Sequence, residues 1–212
     1  IHGVNVRDYT TDPDNLIEGQ VWFDKTAVAL QFQAAGAGAW STTNSLNTAR
    51  DQIAGAGTTT SGLVFGENFG GETESFNGTS YTEQNDLNTG RGYAGSAGSD
   101  NTSGLAIGGE TSPGTEVANT ELWNGTNWTE VNDLNTARFN IAGFGADSTS
   151  AIGAGGIAAT GRIAIVESWN GTSWTEVNDM NTARKQSGGF GTSTSAIVAG
   201  GYISTNSNAV ES

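Results

Sequence analysis

The sequence predicts an all-β protein built from tandem copies of a unit of four short antiparallel strands. Three segments of the 212-residue chain align almost letter for letter: ESFNGTSYTEQNDLNTGR (74–91), ELWNGTNWTEVNDLNTAR (121–138) and ESWNGTSWTEVNDMNTAR (167–184). The glutamates that open them, continued by Glu211, recur with a period in the mid-forties, which is found in four-stranded units and in some two-helix repeats. The chain also contains 32 glycines, and glycine every few residues would destabilise helices, so we expect strands.

The unit from Arg138 to Arg184 shows the predicted strands in order. They are expected at 138–144, 151–155, 163–169 and 173–177. The third strand is predicted by alternating side chains, and a turn is expected at 146–150. Asn170-Gly171 predicts a type I′ hairpin turn before the fourth strand, because that turn needs positive φ at both central residues.

Length variation is concentrated in one connection of the repeat. The opening glutamate and the closing arginine are equally far apart in all three copies, at positions 74 and 91, 121 and 138, and 167 and 184. The first glycine after the second strand and the next glutamate are unequally spaced, at positions 66 and 74, 108 and 121, 155 and 167, and 200 and 211. The sequence therefore predicts a uniform frame with one variable loop, between the second and third strands.

These features resemble the kelch-type β-propeller repeat. The residues that carry the resemblance are the glycine pairs Gly108-Gly109, Gly155-Gly156 and Gly200-Gly201, the aromatic pairs Trp123/Trp128 and Trp169/Trp174, and NTAR at 135–138 and 181–184. The first unit departs from the pattern, with Glu67 after Gly66, Phe76 and Tyr81 for the tryptophans, and Gly90 for alanine.

The resemblance implies a kelch-like propeller of four-stranded antiparallel blades over residues 41–212. Its units begin near Arg50, Arg91, Arg138 and Arg184, and the last unit is truncated. A closed ring of six or seven blades needs about 280–320 residues, so we expect the propeller to be incomplete in this chain.

Residues 1–40 are expected to form an attachment segment that contains a β-hairpin. DPDNLIEGQVWFDKTAVALQFQ at 12–33 resembles a short hairpin module of virion proteins of tailed bacteriophages, especially tail-fibre chains, where it often precedes repeats like these in marine phages. The resemblance implies a virion or extracellular location and contacts with other virion proteins through this segment. Association with further copies of the same chain is also considered.

Composition argues against several classes of function. The formal net charge of −14 and only 8 lysines and arginines disfavour nucleic acid, which is bound by clustered basic residues. The longest apolar stretches are far shorter than the roughly 20 residues of a membrane helix, so no membrane insertion is expected. With no cysteine and one histidine, His2, Ser-His and Cys-His nucleophile systems are excluded. The sequence predicts no enzyme, metal site or cofactor.

The recurring charged residues are assigned a structural role. We expect Arg91, Arg138 and Arg184 to fix one unit to the next through bidentate pairs with carboxylates. The candidate carboxylates are Glu74, Glu121, Glu167, Asp86, Asp133 and Asp179. The tryptophans Trp123, Trp128, Trp169 and Trp174 are expected to supply the core. The Asn-Gly-Thr sequons are interpreted as turns rather than glycosylation sites.

Binding is predicted at the variable loops, which propeller geometry would place on one face with the Asn-Gly turns on the other. The residues assigned to this surface are Glu110, Thr111, Arg162 and Tyr202. The sequence thus predicts a structural, receptor-binding virion protein, a tail or head fibre or a decorating protein, that contacts a host-surface glycan or protein. The alternatives are a bacterial secreted or surface propeller that binds carbohydrate or protein, and, less favoured, a propeller enzyme.

Overall fold

A computed structural model describes residues 7–9, 21–26, 28–32 and 44–212 of the chain. The chain divides into two compact units, Ile1–Thr42 and Thr43–Ser212. All regular structure in the described residues is β-strand, which confirms the predicted all-β class. The described part contains no helix of the length and apolarity that a bilayer crossing requires.

The described part of the first unit is a three-stranded sheet. Its strands are β1 (Arg7–Tyr9), β2 (Val21–Asp24) and β3 (Ala29–Phe32). Strands β2 and β3 form an antiparallel hairpin, and β1 pairs with β2 in parallel. The expected N-terminal hairpin is therefore present, whereas His2 lies outside the described residues.

The second unit contains four successive antiparallel sheets, here called sheets I to IV. Sheet I contains β4 (Ala54–Thr58), β5 (Ser61–Phe65), β6 (Thr73–Phe76) and β7 (Tyr81–Glu83). Sheet II contains β8 (Gly95–Asp100), β9 (Ser103–Glu110), β10 (Glu116–Trp123) and β11 (Trp128–Val131). Sheet III begins with β12 (Ala142–Asp147) and β13 (Ser150–Ala154). After a separate hairpin of β14 (Ile157–Ala158) and β15 (Gly161–Arg162), it ends with β16 (Val166–Trp169) and β17 (Trp174–Glu176). Sheet IV contains β18 (Gly188–Thr192), β19 (Ser195–Ala199) and β20 (Val210–Glu211).

The predicted strand bounds of sheet III need correction at the start of the first and third strands, and the first strand also runs to Asp147, into the turn predicted at 146–150. The first strand begins at Ala142 rather than 138, because Phe139 forms an isolated bridge with Ile157 and Asn140 has a positive φ of 56°. The third strand begins at Val166 rather than 163, since the backbone before it is hydrogen-bonded to the glycine pair: the Ile163 amide donates to Gly156. The hairpin β14–β15 was not predicted.

The type I′ turn predicted at Asn170-Gly171 is wrong. Gly171 has a φ of 89°, but Asn170 is not among the residues with positive φ. Its side-chain oxygen instead accepts hydrogen bonds from the backbone amides of Thr172 and Ser173, both at 2.9 Å. Asn-Gly therefore builds a four-residue loop capped by the asparagine side chain, as Asn often does in turns.

The first strands of the four sheets lie next to one another. Strand β8 contacts both β4 and β12, and β12 contacts β18. Small residues permit this approach: a Cβ on Gly143 would lie 2.3 Å from the Ser96 nitrogen, and one on Gly189 would lie 2.1 Å from the Phe144 ring. The glycine-rich first strands of neighbouring sheets therefore approach closely.

A chain of backbone hydrogen bonds also links successive sheets ahead of their first strands. The Tyr93 amide donates to Gln52 at 3.0 Å, Asn140 to Tyr93 at 2.9 Å, and Gln186 to Asn140 at 3.1 Å. All four residues have a positive φ between 53° and 57°, a conformation that costs energy for residues other than glycine. Each inter-sheet hydrogen bond thus fixes one strained residue at the same repeat position.

Tryptophan pairs fill the spaces between sheets I and II and between sheets II and III. Trp123 and Trp128 are 1% and 5% exposed, and Trp169 and Trp174 are 1% and 6% exposed. The second tryptophan of each pair donates its indole N–H to the preceding sheet: Trp128 to Thr73 at 3.0 Å, and Trp174 to Thr120 at 2.9 Å. The tryptophans therefore join neighbouring sheets by both apolar burial and a directed hydrogen bond.

The equivalent space between sheets III and IV is a cavity of about 360 Å³. Sheet III contributes Phe144, Ile152 and Val166 to its lining, and sheet IV contributes Ala196 and Val198. In sheets II and III the tryptophans stand two and seven residues after the opening glutamate, and the corresponding positions after Glu211 lie beyond Ser212, the last residue of the given sequence.

Candidate functional site: the loop surface of the repeats

The variable loops lie at one end of the strands in each sheet. Isolated bridges join the start of a unit to its own variable loop: Phe139 pairs with Ile157, and Lys185 pairs with Tyr202. The Asn-Gly turns lie at the other end, where a Cβ on Gly171 would contact Thr149 in the first turn of the same sheet. The variable loops and the unit starts therefore form a common surface, here called the loop surface.

The repeat arginines are buried in ion pairs with the opening glutamates. The pairs are Arg50–Glu74, Arg91–Glu121, Arg138–Glu167 and Arg184–Glu211. Arg138 and Glu167 are both 0% exposed. Arg138 ends the NTAR segment at 135–138, and its backbone amide donates a hydrogen bond to Val117 of sheet II. Its side chain forms the ion pair with Glu167 of sheet III. The segment thus ties one sheet to the next, as expected from the sequence.

The predicted bidentate geometry of these pairs is wrong. Nη1 of Arg138 donates to one oxygen of Glu167, and Nη2 donates to the Gly153 carbonyl at 3.0 Å. The second carboxylate oxygen of Glu167 accepts hydrogen bonds from the backbone amide of Asn135 at 2.8 Å and from its side-chain amide at 2.6 Å. Asn135 and Arg138 therefore each bind one carboxylate oxygen of Glu167.

The buried pairs carry an electrostatic cost. Burial lowers the pKa of the Arg91 guanidinium below its usual value, and the carboxylate of Glu121, 2.8 Å away, acts in the opposite direction. The carboxylate partners named from the sequence include Asp133, whose side chain instead accepts a hydrogen bond from the Thr120 amide at 3.3 Å. Removing one member of such a pair would leave an unpaired buried charge.

Glu110 and Thr111 lie on the variable loop of sheet II. Glu110 is 6% exposed, and its carboxylate accepts a hydrogen bond from the Gly114 amide within the same loop. The Thr111 amide donates to the Thr115 carbonyl at 3.0 Å. These interactions hold the tight loop, and the assignment of Glu110 and Thr111 to ligand binding stays a prediction.

Arg162 and Tyr202 come together although they are distant in the sequence and belong to different loops. The Arg162 guanidinium carbon lies 5.5 Å from the centre of the Tyr202 ring, and the Lys185 ammonium also lies 5.5 Å from it. These are cation–π distances. The loops of sheets III and IV thus form one cluster of two cations and an aromatic ring, here called the Tyr202 cluster.

Two features fix the positions of these side chains. Arg162 lies on β15, paired with Ile157. Lys185 and Tyr202 exchange two backbone hydrogen bonds, of 3.2 Å and 2.9 Å. All three members are therefore held by β-type backbone pairing.

Lys185 was not singled out from the sequence. It directly follows the repeat arginine Arg184, at a position occupied by Asp51, Gly92 and Phe139 in the earlier units. This variation could have indicated Lys185, because a position that varies within a strict repeat and borders the variable loop is a candidate for binding.

The loop surface of sheet I has the opposite charge. Glu67 and Glu72 lie close together, since a Cβ placed on Gly70 between them would contact both carboxylates. Burial raises the pKa of Glu67, and the nearby charge of Glu72 raises it further. Nevertheless, the described residues include no group of three or more acidic or histidine side chains arranged to hold a metal ion.

Comparison with known proteins gives no family assignment. No protein-family model matches the chain. A search of curated proteins finds no significant match. Any functional argument for this chain therefore depends on its repeat pattern and on the geometry of the loop surface.

Proposed function

We propose that this protein is a non-enzymatic virion component, a tail or head fibre or a decorating protein, that contacts a host-surface glycan or protein through its loop surface. Sheets I to IV would be blades of a kelch-like propeller. The N-terminal segment, with its hairpin of β2 and β3, would attach the repeats to other virion proteins.

The arrangement of the sheets supports the propeller part of the proposal. Each sheet is antiparallel and follows its predecessor in the chain, and neighbouring first strands lie against each other. The first strands of all four sheets line one cavity of about 270 Å³. Radial arrangements of four-stranded sheets place their first strands around such a central space.

The use of charge supports a binding role over catalysis. Every arginine that recurs with the repeat forms an ion pair with a glutamate. Charged groups that repeat with the unit hold the frame, whereas an active site needs a unique constellation. The frame thus presents unequal loops on a uniform support, as repeat proteins do at their binding surfaces.

The Tyr202 cluster is the observation that carries the proposal. Arg162 is exposed, and Tyr202 and Lys185 are half-buried, so their outer parts can be reached from solvent. Tyrosine and arginine are enriched among the residues that dominate binding energy at interfaces. No other position of the repeat brings such residues together from two different loops in the described part of the chain.

Binding of the labelled protein to intact host cells tests the proposed role. We expect saturable binding that Tyr202→Ala weakens at least tenfold, and that the control Thr126→Ala leaves unchanged, because Thr126 lies in an Asn-Gly turn at the opposite end of the strands. Mass spectrometry should find the protein in purified virus particles. Its recovery only from particle-free culture medium, or equal effects of the two substitutions, would contradict the proposal.

A further inference from the structure

We infer that the Tyr202 cluster binds an acidic glycan by the carboxylate of a uronic acid or a similar sugar acid. This inference rests on the proposed function and names the class of ligand that the loop surface would bind.

The distribution of positive charge in the repeats is the first argument. Residues 44–212 contain six lysines and arginines. Four of them, the repeat arginines, are buried in ion pairs. The other two, Arg162 and Lys185, form no ion pair within this range and approach the same tyrosine ring. In a chain with a formal net charge of −14, all the unpaired positive charge of the repeats is thus concentrated at one point.

The spacing of the two cations is the second argument. Each lies 5.5 Å from the same ring centre, so their separation is at most twice that distance. An anion bound beside the ring would gain Coulomb attraction from both charges. A carboxylate fits, because a guanidinium can donate two parallel hydrogen bonds to it while an ammonium acts as a point charge.

The neighbours of the cluster favour a sugar over an acidic peptide. Exposed Ser204, Thr205 and Asn206 follow Tyr202 in the same loop, and their hydroxyl and amide groups can exchange hydrogen bonds with sugar hydroxyls. The loop also turns tightly, with Tyr202 bridged to Asn206, which presents these groups on a short, fixed segment. Protein interfaces add buried pockets for aromatic or other anchoring side chains, whereas these neighbours are polar.

The test compares three soluble probes of the same length by calorimetry. They are a galacturonic acid trisaccharide, its methyl ester and triglutamate. We expect binding of the acid trisaccharide and at least tenfold weaker binding of the ester, because esterification removes the charge that Arg162 and Lys185 recognise. Triglutamate, with a similar charge but no sugar hydroxyls, should also bind at least tenfold more weakly than the acid.

Variants locate the binding to the cluster. Arg162→Gln and Lys185→Gln should each weaken binding of the acid trisaccharide about tenfold or more, and Arg162→Lys should lose less than Arg162→Gln because it keeps the charge. Thr172→Glu is the matched control. It changes the net charge by the same one unit at an exposed Asn-Gly turn and should leave affinity unchanged. Equal thermal unfolding of the variants would show that the frame is intact.

The outcomes separate this inference from the proposed function. Equal binding of acid and ester, tight binding of triglutamate, or an unchanged affinity of Arg162→Gln would overturn the acidic-glycan inference. Cell binding that Tyr202→Ala weakens while the acid trisaccharide fails to bind would overturn the inference alone and leave the proposed host contact standing. Failure to bind both cells and sugars would overturn both.

Discussion

The contact between sheets II and III differs from that between sheets III and IV, although the same repeat positions build one side of each. Between sheets II and III, Trp169 and Trp174 are packed against Leu105 and Ile107 in one apolar cluster. Between sheets III and IV, Ile152 and Phe144 line a cavity of about 360 Å³ instead. The tryptophan pair of sheet III therefore closes the contact with sheet II, and the corresponding positions of sheet IV lie beyond Ser212.

The exposure of the ion-paired glutamates also differs between these two contacts. Glu167, beside the filled contact, is 0% exposed, whereas the side chain of Glu211 on sheet IV is 14% exposed. At the acceptor position of the indole hydrogen bond, sheets I and II have Thr73 and Thr120, and sheet III has Val166. The energetic weight of one repeat position therefore depends on what packs against it.

The largest expected effect is the loss of a buried arginine. Arg138→Ala should lower the free energy of unfolding by about 3–5 kcal/mol, because it leaves the fully buried Glu167 without its cation. In the chain that ends at Ser212, Arg184→Ala should cost about 1.5–3 kcal/mol, since the side chain of Glu211 is 14% exposed there. Urea unfolding of both variants measures the two losses.

Equal losses for the two arginine variants would show that burial of the partner does not set the value of the pair. Binding through the loop surface should survive Arg138→Ala below its unfolding transition, because the arginine lies within the frame.

The next effect concerns the indole hydrogen bond. Thr120→Val should cost about 1–3 kcal/mol, because it leaves the buried N–H of Trp174 without its acceptor at nearly constant side-chain volume. Its matched control is Val166→Thr on sheet III, where the facing space is the cavity. Thermal unfolding should show that the control shifts the midpoint far less; similar shifts would argue against the hydrogen bond as the cause.

Filling the cavity between sheets III and IV should stabilise the chain that ends at Ser212. Ala196 lines it and packs against the Phe144 and Ile152 cluster, so Ala196→Ile should add about 0.5–1 kcal/mol by burying more apolar surface. Ala151→Ile is the contrasting change, since Ala151 is 0% exposed in the filled core and overpacking costs about 1–3 kcal/mol. Stabilisation by both changes, or by neither, would contradict the contrast.

The smallest effect lies at the first turns of sheets II and III. The Thr149 hydroxyl donates to Asp147 at 2.7 Å and, with the Thr149 amide, lowers the pKa of that carboxyl; Thr102 does the same for Asp100. Because folding lowers these pKa values, the ionised carboxylates stabilise the fold above their unfolded pKa, and this stabilisation is lost as the pH falls through the folded pKa.

Thr149→Val should therefore raise the pKa of Asp147 toward its usual value and leave that of Asp100 unchanged. A carboxyl NMR titration measures both groups in one sample. An unchanged pKa for Asp147 would show that the hydroxyl is not the main cause of the shift.

Much of the fold could be predicted because near-identical copies of one strand pattern recur along the chain. The period and the constant distance from the opening glutamate to the closing arginine, as from Glu167 to Arg184, indicated the order of strands within a sheet. Strand ends could not be predicted as well, since Phe139 and Asn140 continue an extended pattern but are used in a bridge and an inter-sheet hydrogen bond. The Asn-Gly turn was misassigned because asparagine can cap a turn with its side chain as readily as it can adopt a positive φ.

The candidate site was predicted in part. Arg162 and Tyr202 were named as binding residues from their loops, but their meeting at one ring, together with Lys185, is a property of the folded chain. Sequence distance says nothing about which loops of neighbouring sheets touch. The role of Glu110 in binding stays a prediction, and its carboxylate accepts a hydrogen bond from the Gly114 amide of the same loop.

The sequence by itself determined the unit of this protein: four strands, a tryptophan pair and an arginine with its glutamate, because these depend on local spacing that recurs along the chain. Only the tertiary structure decided how neighbouring sheets pack against each other and where the unpaired positive charge of the described repeats lies. Both depend on the neighbour that each sheet meets, and contacts between sheets join residues that no short stretch of sequence contains.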